Sequence, residues 1–170
     1  MIGDLLTRVR KPRWDPQPTQ QAAVLLASAG DPIPRSMVVQ GVQAADGGDV
    51  AVVTVARIYG SAWGLPNPGL MPSKREMATQ LSVVEGAVGI VTAKGATAWG
   101  QVVTSRNPAR SIARVAQARG AGRVLVVVPD APRWRQLIEG DLVRAIQRRV
   151  GPAVVVEGVP AAARGRQLHR

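Results

Sequence analysis

The chain has no cysteine and no phenylalanine, and its one histidine, His169, is the second residue from the end. Without thiols there is no disulfide, no thiolate nucleophile and no cysteine-bound zinc. A lone terminal histidine is a poor basis for a multi-histidine metal site or a serine triad. Aromatic residues make up 3% of the sequence, so a core has to be built from Val, Ala, Leu and Ile. No apolar run approaches the roughly 18–20 residues of a spanning helix. The N-terminus has no secretory apolar region or cleavage site. These absences lead to the expectation of a cytoplasmic protein with no catalytic residues and no metal.

Lysine is scarce as well, 3 against 19 arginines, a balance that with abundant Ala, Gly and Pro has the look of a GC-rich genome. The 170 residues are the size of one ordinary domain, and at 46% hydrophobic they can bury a real core. Formal net charge is +11, and from Arg106 onward 13 arginines face four acids, so +9 of that charge lies in the last 65 residues. A basic balance of this kind favours anionic partners, or simply keeps the protein soluble.

Three segments are expected. Residues 1–21 form a basic helix and linker. Ile2, Leu5, Leu6 and Val9 fall on one helical face, Arg8, Arg10 and Lys11 lie off it, and Pro12 ends it. Such a helix can dock on a partner within a larger complex or lie on a membrane surface. A helix of about nine residues is marginal alone, so it can equally pack on its own domain. Residues 22–158 carry the domain, and residues 159–170 form a basic, flexible tail.

Within the domain, Ala22–Ala27 reads as a buried strand and Pro34–Ala45 as a helix. Val50–Ile58 is a nearly continuous apolar strand of the kind covered on both faces. A Gly/Pro-rich loop extends to Met71. Ser73, with Glu76 three residues on, opens a helix to about Ala93 as a capping box. Ala98–Thr104 is a third strand. Asn107 caps the next helix with Pro108 in its first turn, and Gly120 closes it. Val124–Val128 is an apolar strand ending in Pro129-Asp130, and a fourth helix and a final strand, Ala153–Val156, complete the domain. The alternation predicts an α/β fold, a five-stranded parallel sheet with helices on both faces.

The run Asn107-Pro-Ala-Arg-Ser-Ile-Ala-Arg-Val-Ala-Gln-Ala-Arg-Gly120, followed after Ala121-Gly122 by Arg-Val-Leu-Val-Val-Val, resembles the third helix and fourth strand of the universal stress protein family. The element order and the long loop after the second strand resemble that family over residues 22–158. The resemblance implies an adenine-nucleotide α-hydrolase-like fold, strand order 3-2-1-4-5, and a ligand crevice between the ends of strands one and four. Nucleotide-binding members carry G-x-x-G, nine residues, then G-[ST] after the fourth strand. Gly140 matches the last glycine, but Asp141 replaces the hydroxyl residue and the earlier glycines fall on Val127 and Asp130. The family's acidic residue after the first strand falls near Ser28, with Asp31 three residues later.

The family's nucleotide positions are thus Ser28, Asp31, Asp130, Gly140 and Asp141, and they read as degenerate. Carboxylates at 31, 130 and 141 would repel a triphosphate, since unit charges about 4 Å apart cost on the order of 1–4 kcal/mol. No cofactor is expected. The counter-reading is a carboxylate cluster holding Mg²⁺ and a phosphate, and the bland one is that Asp is a common turn and cap residue. Ser28 has no partner base and is no nucleophile.

The expected working surfaces are for partners. Arg110 and Arg114 share one side of the third helix. Trp134, between Arg133 and Arg135, can stack on a base, grip an acidic partner or merely cover the sheet edge. Arg144, Arg148 and Arg149 read as a solvated face. The apolar last strand, with Val154 and Val156, would lie at a sheet edge that invites pairing, and the resemblance implies dimerisation there, so a homodimer through residues 153–158 is expected. The leading reading is a non-enzymatic interaction or regulatory subunit. An RNA- or ribosome-associated protein, an atypical nucleotide sensor and a peripheral membrane protein stay open behind it, with nucleic acid and anionic membrane as the less favoured partners.

Overall fold

A computed structural model describes residues 21–58, 71–129 and 141–161. Nine elements alternate along these segments: β1 (Val24–Ser28), α1 (Arg35–Ala45), β2 (Val50–Arg57), α2 (Lys74–Ala93), β3 (Ala98–Ser105), α3 (Pro108–Ala118), β4 (Arg123–Val128), α4 (Leu142–Val150) and β5 (Val155–Pro160). The strands form one five-stranded sheet in the order β3-β2-β1-β4-β5, with every neighbouring pair parallel. The expected fold class and strand order hold.

The central strands are apolar on both sides because helices cover both sides. Leu25 and Ala27 of β1, Val53 of β2 and Val126 of β4 pack with Ile112 of α3 and Ile146 of α4. Their neighbours in the alternation, Val24, Leu26, Val52 and Leu125, pack with Met37 and Val38 of α1 and Val84 of α2. With few large side chains, the layers close at glycines. A Cβ on Gly41 of α1 would stand 2.6 Å from Leu26 Cδ2, and one on Gly100 of β3 would stand 2.2 Å from Val84 Cγ1.

Helix starts obey local chemistry. Ser73 Oγ accepts from the Glu76 amide (3.2 Å) while the Glu76 carboxylate accepts from the Ser73 amide (2.6 Å), the reciprocal arrangement of a capping box. Asn107 Oδ1 accepts from the Arg110 amide (3.0 Å), with Pro108 at the first helical position. Asp141 is the N-cap of α4, its Oδ1 accepting from the Arg144 amide (3.1 Å).

The last strand departs most from expectation. It runs Val155–Pro160 rather than Ala153–Val156. Pro152 and Ala153 form a turn, and the Gln147 side chain pins the backbone on both sides of it. Its Nε2 donates to the carbonyls of Gly151 (2.8 Å) and Val154 (2.9 Å), and its Oε1 accepts from the Val156 amide (3.2 Å). Val154 therefore lies outside the strand, packed against the α3/α4-side core, while Val156 is in it. Glu157-Gly158 does not end the strand. Gly158 admits Val128 and Val143, whose methyls would lie 2.7 and 3.1 Å from any Cβ there. Glu157 is anchored by Arg123 (3.6 Å) and by Gln40 (3.3 Å).

Candidate functional site

β1 and β4 are neighbours whose onward connections leave in opposite directions across the sheet, β1 toward β2 and β4 toward β5. Their carboxyl ends therefore bound a crevice of the kind where ligands bind in open α/β sheets. Ser28 closes β1 with no exposed surface. Its hydroxyl donates to the Asp31 carbonyl and accepts from the Gly30 amide (3.2 Å). Gly30 holds φ at +118°, a backbone that side chains resist. The Gly30 carbonyl in turn accepts from Gln80 Nε2 of α2 at 3.0 Å. The Ser28 side chain thus closes its own loop, and α2 ties that loop down.

On the other wall, β4 carries Val127, fully buried among the α1/α2-side residues, and leads through Val128 into Pro129. The Asp141 carboxylate caps α4 and meets Arg144 Nε at 3.5 Å, an exposed pair. Asp31 is half-buried. Asp130 and Gly140 lie outside the described residues, as do Trp134 and the N-terminal positions Ile2, Leu5, Leu6 and Val9. Among the described residues no group of three or more acidic, histidine or cysteine side chains is placed to hold a metal. No described helix is long and apolar enough to cross a membrane.

Two of the buried polar atoms that have no partner among the described residues lie beside Ser28 and Gly30. Thr54, opposite Ser28 in the β1–β2 register, buries Oγ1, and Gln80 buries Oε1. Sequence reasoning missed both residues, although Gln80 precedes Val84, Ala87 and Val91 at helical spacing on the buried stripe of α2.

The arginines divide by what they touch. Arg119 lies over the Trp99 ring, 4.2 Å from its centre, and Arg123 reaches Glu157. Arg110 and Arg114 are exposed on α3, as expected, and line a groove of about 480 Å³ with Asn107, Ala113, Gln117 and Arg149. Arg149 enters from α4, where the sequence reads only as a solvated face. Its backbone carbonyl accepts from Gln117 Nε2 at 2.9 Å, joining the two helices across the groove. A second groove of about 470 Å³ lies along α4 between Asp141, Arg144, Gln147 and Arg148.

No family model matches the sequence, and no curated protein matches it. Solved structures do match the fold. The universal stress protein from Archaeoglobus fulgidus is 14% identical, with 81% of this chain and 93% of that one covered at a TM-score of 0.58. A universal stress protein family member from Burkholderia pseudomallei is 13% identical, covering 85% and 100% at a TM-score of 0.56. A universal stress protein crystallised with cAMP is 16% identical, covering 84% and 99% at a TM-score of 0.56. With its strand order and its helices on both faces, the chain has the fold of these universal stress proteins.

Proposed function

We propose that this domain is a non-enzymatic interaction or regulatory subunit of universal-stress-protein type, whose crevice no longer holds a nucleotide. The observation that carries the reading is Val127. The first glycine of the family's phosphate loop would align with this residue, which is a fully buried strand residue in the α1/α2-side core. A phosphate loop depends on backbone amides open to the ligand, whereas Val127 is a buried residue within the parallel sheet, in register with Val159 of β5. The Ser28 hydroxyl, already bonded to Asp31 and Gly30, offers nothing further without opening its loop.

The cAMP complex of a protein with this fold makes the test direct. Isothermal titration of the full chain with Mg-ATP and, separately, with cAMP is expected to show no binding tighter than about 1 mM. Micromolar binding of either, or a nucleotide carried through purification, would overturn the reading in favour of an atypical nucleotide sensor.

A further inference from the structure

We propose that the groove between α3 and α4 binds the phosphodiester backbone of nucleic acid without reading its sequence; this rests on the domain being an interaction module. Three arginines line it, Arg110 and Arg114 from α3 and Arg149 from α4, and among the described residues no acidic side chain joins them. Among the described residues, Arg110 and Arg114 make no ion pair. Arg149 uses one N–H on the Ala145 carbonyl of its own helix at 2.8 Å.

No ion pair among the described residues offsets the charges of Arg110 and Arg114. Arg110 and Arg114 are four residues apart, where like charges destabilise a helix. Arg110 also stands in the first turn of α3, which has no acidic residue and where a cation opposes the helix dipole. An external anion reverses the sign of both effects. The two helices that carry the arginines are joined without a ligand, because the Gln117 side chain bonds the Arg149 carbonyl and Asn107 caps α3.

The lining also selects among anions. Among the described residues its one apolar side chain is Ala113, with no aromatic or large aliphatic anchor of the kind protein interfaces concentrate their affinity in. Among the described residues the lining likewise has no large apolar side chain to enter a bilayer, and a groove presents its charges to a strand rather than to a flat headgroup layer. No aromatic ring among the described residues lines it for base stacking, and the arginines it does present suit the phosphate backbone of a nucleic acid. Guanidinium forks fit phosphate oxygens in pairs, which lysine cannot do. The 11-residue α3 is about 16 Å long, room for roughly four or five nucleotides of one strand.

The experiment is fluorescence anisotropy of the full chain with labelled 20-mer poly(U) RNA and poly(dT) DNA across a salt series. The comparison is between R110Q/R114Q/R149Q and a charge-matched control on the opposite sheet face, R35Q/K74Q/R75Q. The groove variant is expected to lose about tenfold or more in affinity and to flatten the log–log salt slope by about 2, one contact per arginine at about 0.7 each. The control should lose less than about threefold. Equal loss in both variants would assign binding to diffuse charge and overturn the proposal. So would no binding by the wild-type chain, or equal affinity for polyglutamate or for vesicles containing phosphatidylserine. Titration of the groove variant with Mg-ATP separates the two readings: nucleotide binding there would sink the nucleotide-free crevice while leaving the groove result standing.

Discussion

The side-chain amide of Gln80 in α2 donates to the carbonyl oxygen of Gly30 across 3.0 Å, tying a helix on one face of the sheet to the loop that leaves β1. Replacing Gln80 by Met keeps the volume and removes the donor. The expected cost is about 1 kcal/mol, with the Gly30 amide exchanging hydrogen about fivefold faster. Exchange by NMR reads this directly, because the Gly30 N–H is bonded to Ser28 Oγ (3.2 Å) and reports that loop's opening. Unchanged exchange would mean that Ser28 alone holds the loop.

Gly100 of the edge strand β3 packs directly against α2. Gly100→Ala sets a methyl 2.2 Å from Val84 Cγ1 and 3.1 Å from Val88 Cγ2, and is expected to destabilise by about 1–3 kcal/mol. Adding Val84→Ala should recover part of that loss. Gly86, exposed on the same helix with nothing within 4 Å of a Cβ, gives the opposite sign: Gly86→Ala should stabilise by about 0.5–1 kcal/mol. Urea denaturation of the variants checks both signs together.

The capping box of α2 makes a prediction about acid. The Ser73 backbone N–H, helped by the Ser73 side chain, holds the Glu76 carboxyl below its ordinary value of 4.5. Because the folded value is the lower one, Glu76 contributes stability above its unfolded value and loses it as pH falls through the folded value. The stability gap between wild type and Glu76→Gln should be widest near neutrality and close in strong acid. A gap independent of pH would remove the charge from the explanation. Ser73→Ala, which loses the other half of the box, should cost about 1 kcal/mol.

Among the described residues β5 ends the sheet with an unpaired edge, and Val155 is 46% exposed. The homodimer expected through 153–158 would be formed by this strand pairing with its copy. Light scattering over a concentration series should then show twice the 17.9 kDa chain mass, and Val155→Lys should shift the protein toward monomer. A wild-type mass that stays at one chain throughout would rule out pairing at β5.

The fold was legible where local chemistry and tertiary packing agree. Ser73 with Glu76, and Asn107 with Pro108, mark helix starts by their own hydrogen bonds. The apolar runs at 50–57 and 123–128 are strands because both their faces are covered. The outer strand was misplaced because its signals are not local. Gly158 looks like a break until Val128 and Val143 are seen to occupy the space a side chain would need. Val154 looks like strand until Gln147, seven residues earlier, takes its carbonyl. At the candidate site, the Ser28 hydroxyl bonds to backbone on both sides, a local pattern that a serine at a strand end followed by Gly30 and Asp31 allows. The partnership of Arg149 with Arg110 and Arg114 was not legible, since periodicity describes one helix at a time and this groove belongs to two.

Gln147 also decides something about the sheet that composition leaves open. Most strands find their alignment from which side chains belong inside, but Val155 to Pro160 has no clean alternation to consult. Shifted by one residue against β4, the strand would turn Glu157 toward α4, into space that Gly158 and Val143 now fill, and away from Arg123 and Gln40. By gripping the chain on both sides of Val155, Gln147 works as an index mark, so the outermost strand is aligned by one amide before its own side chains are consulted.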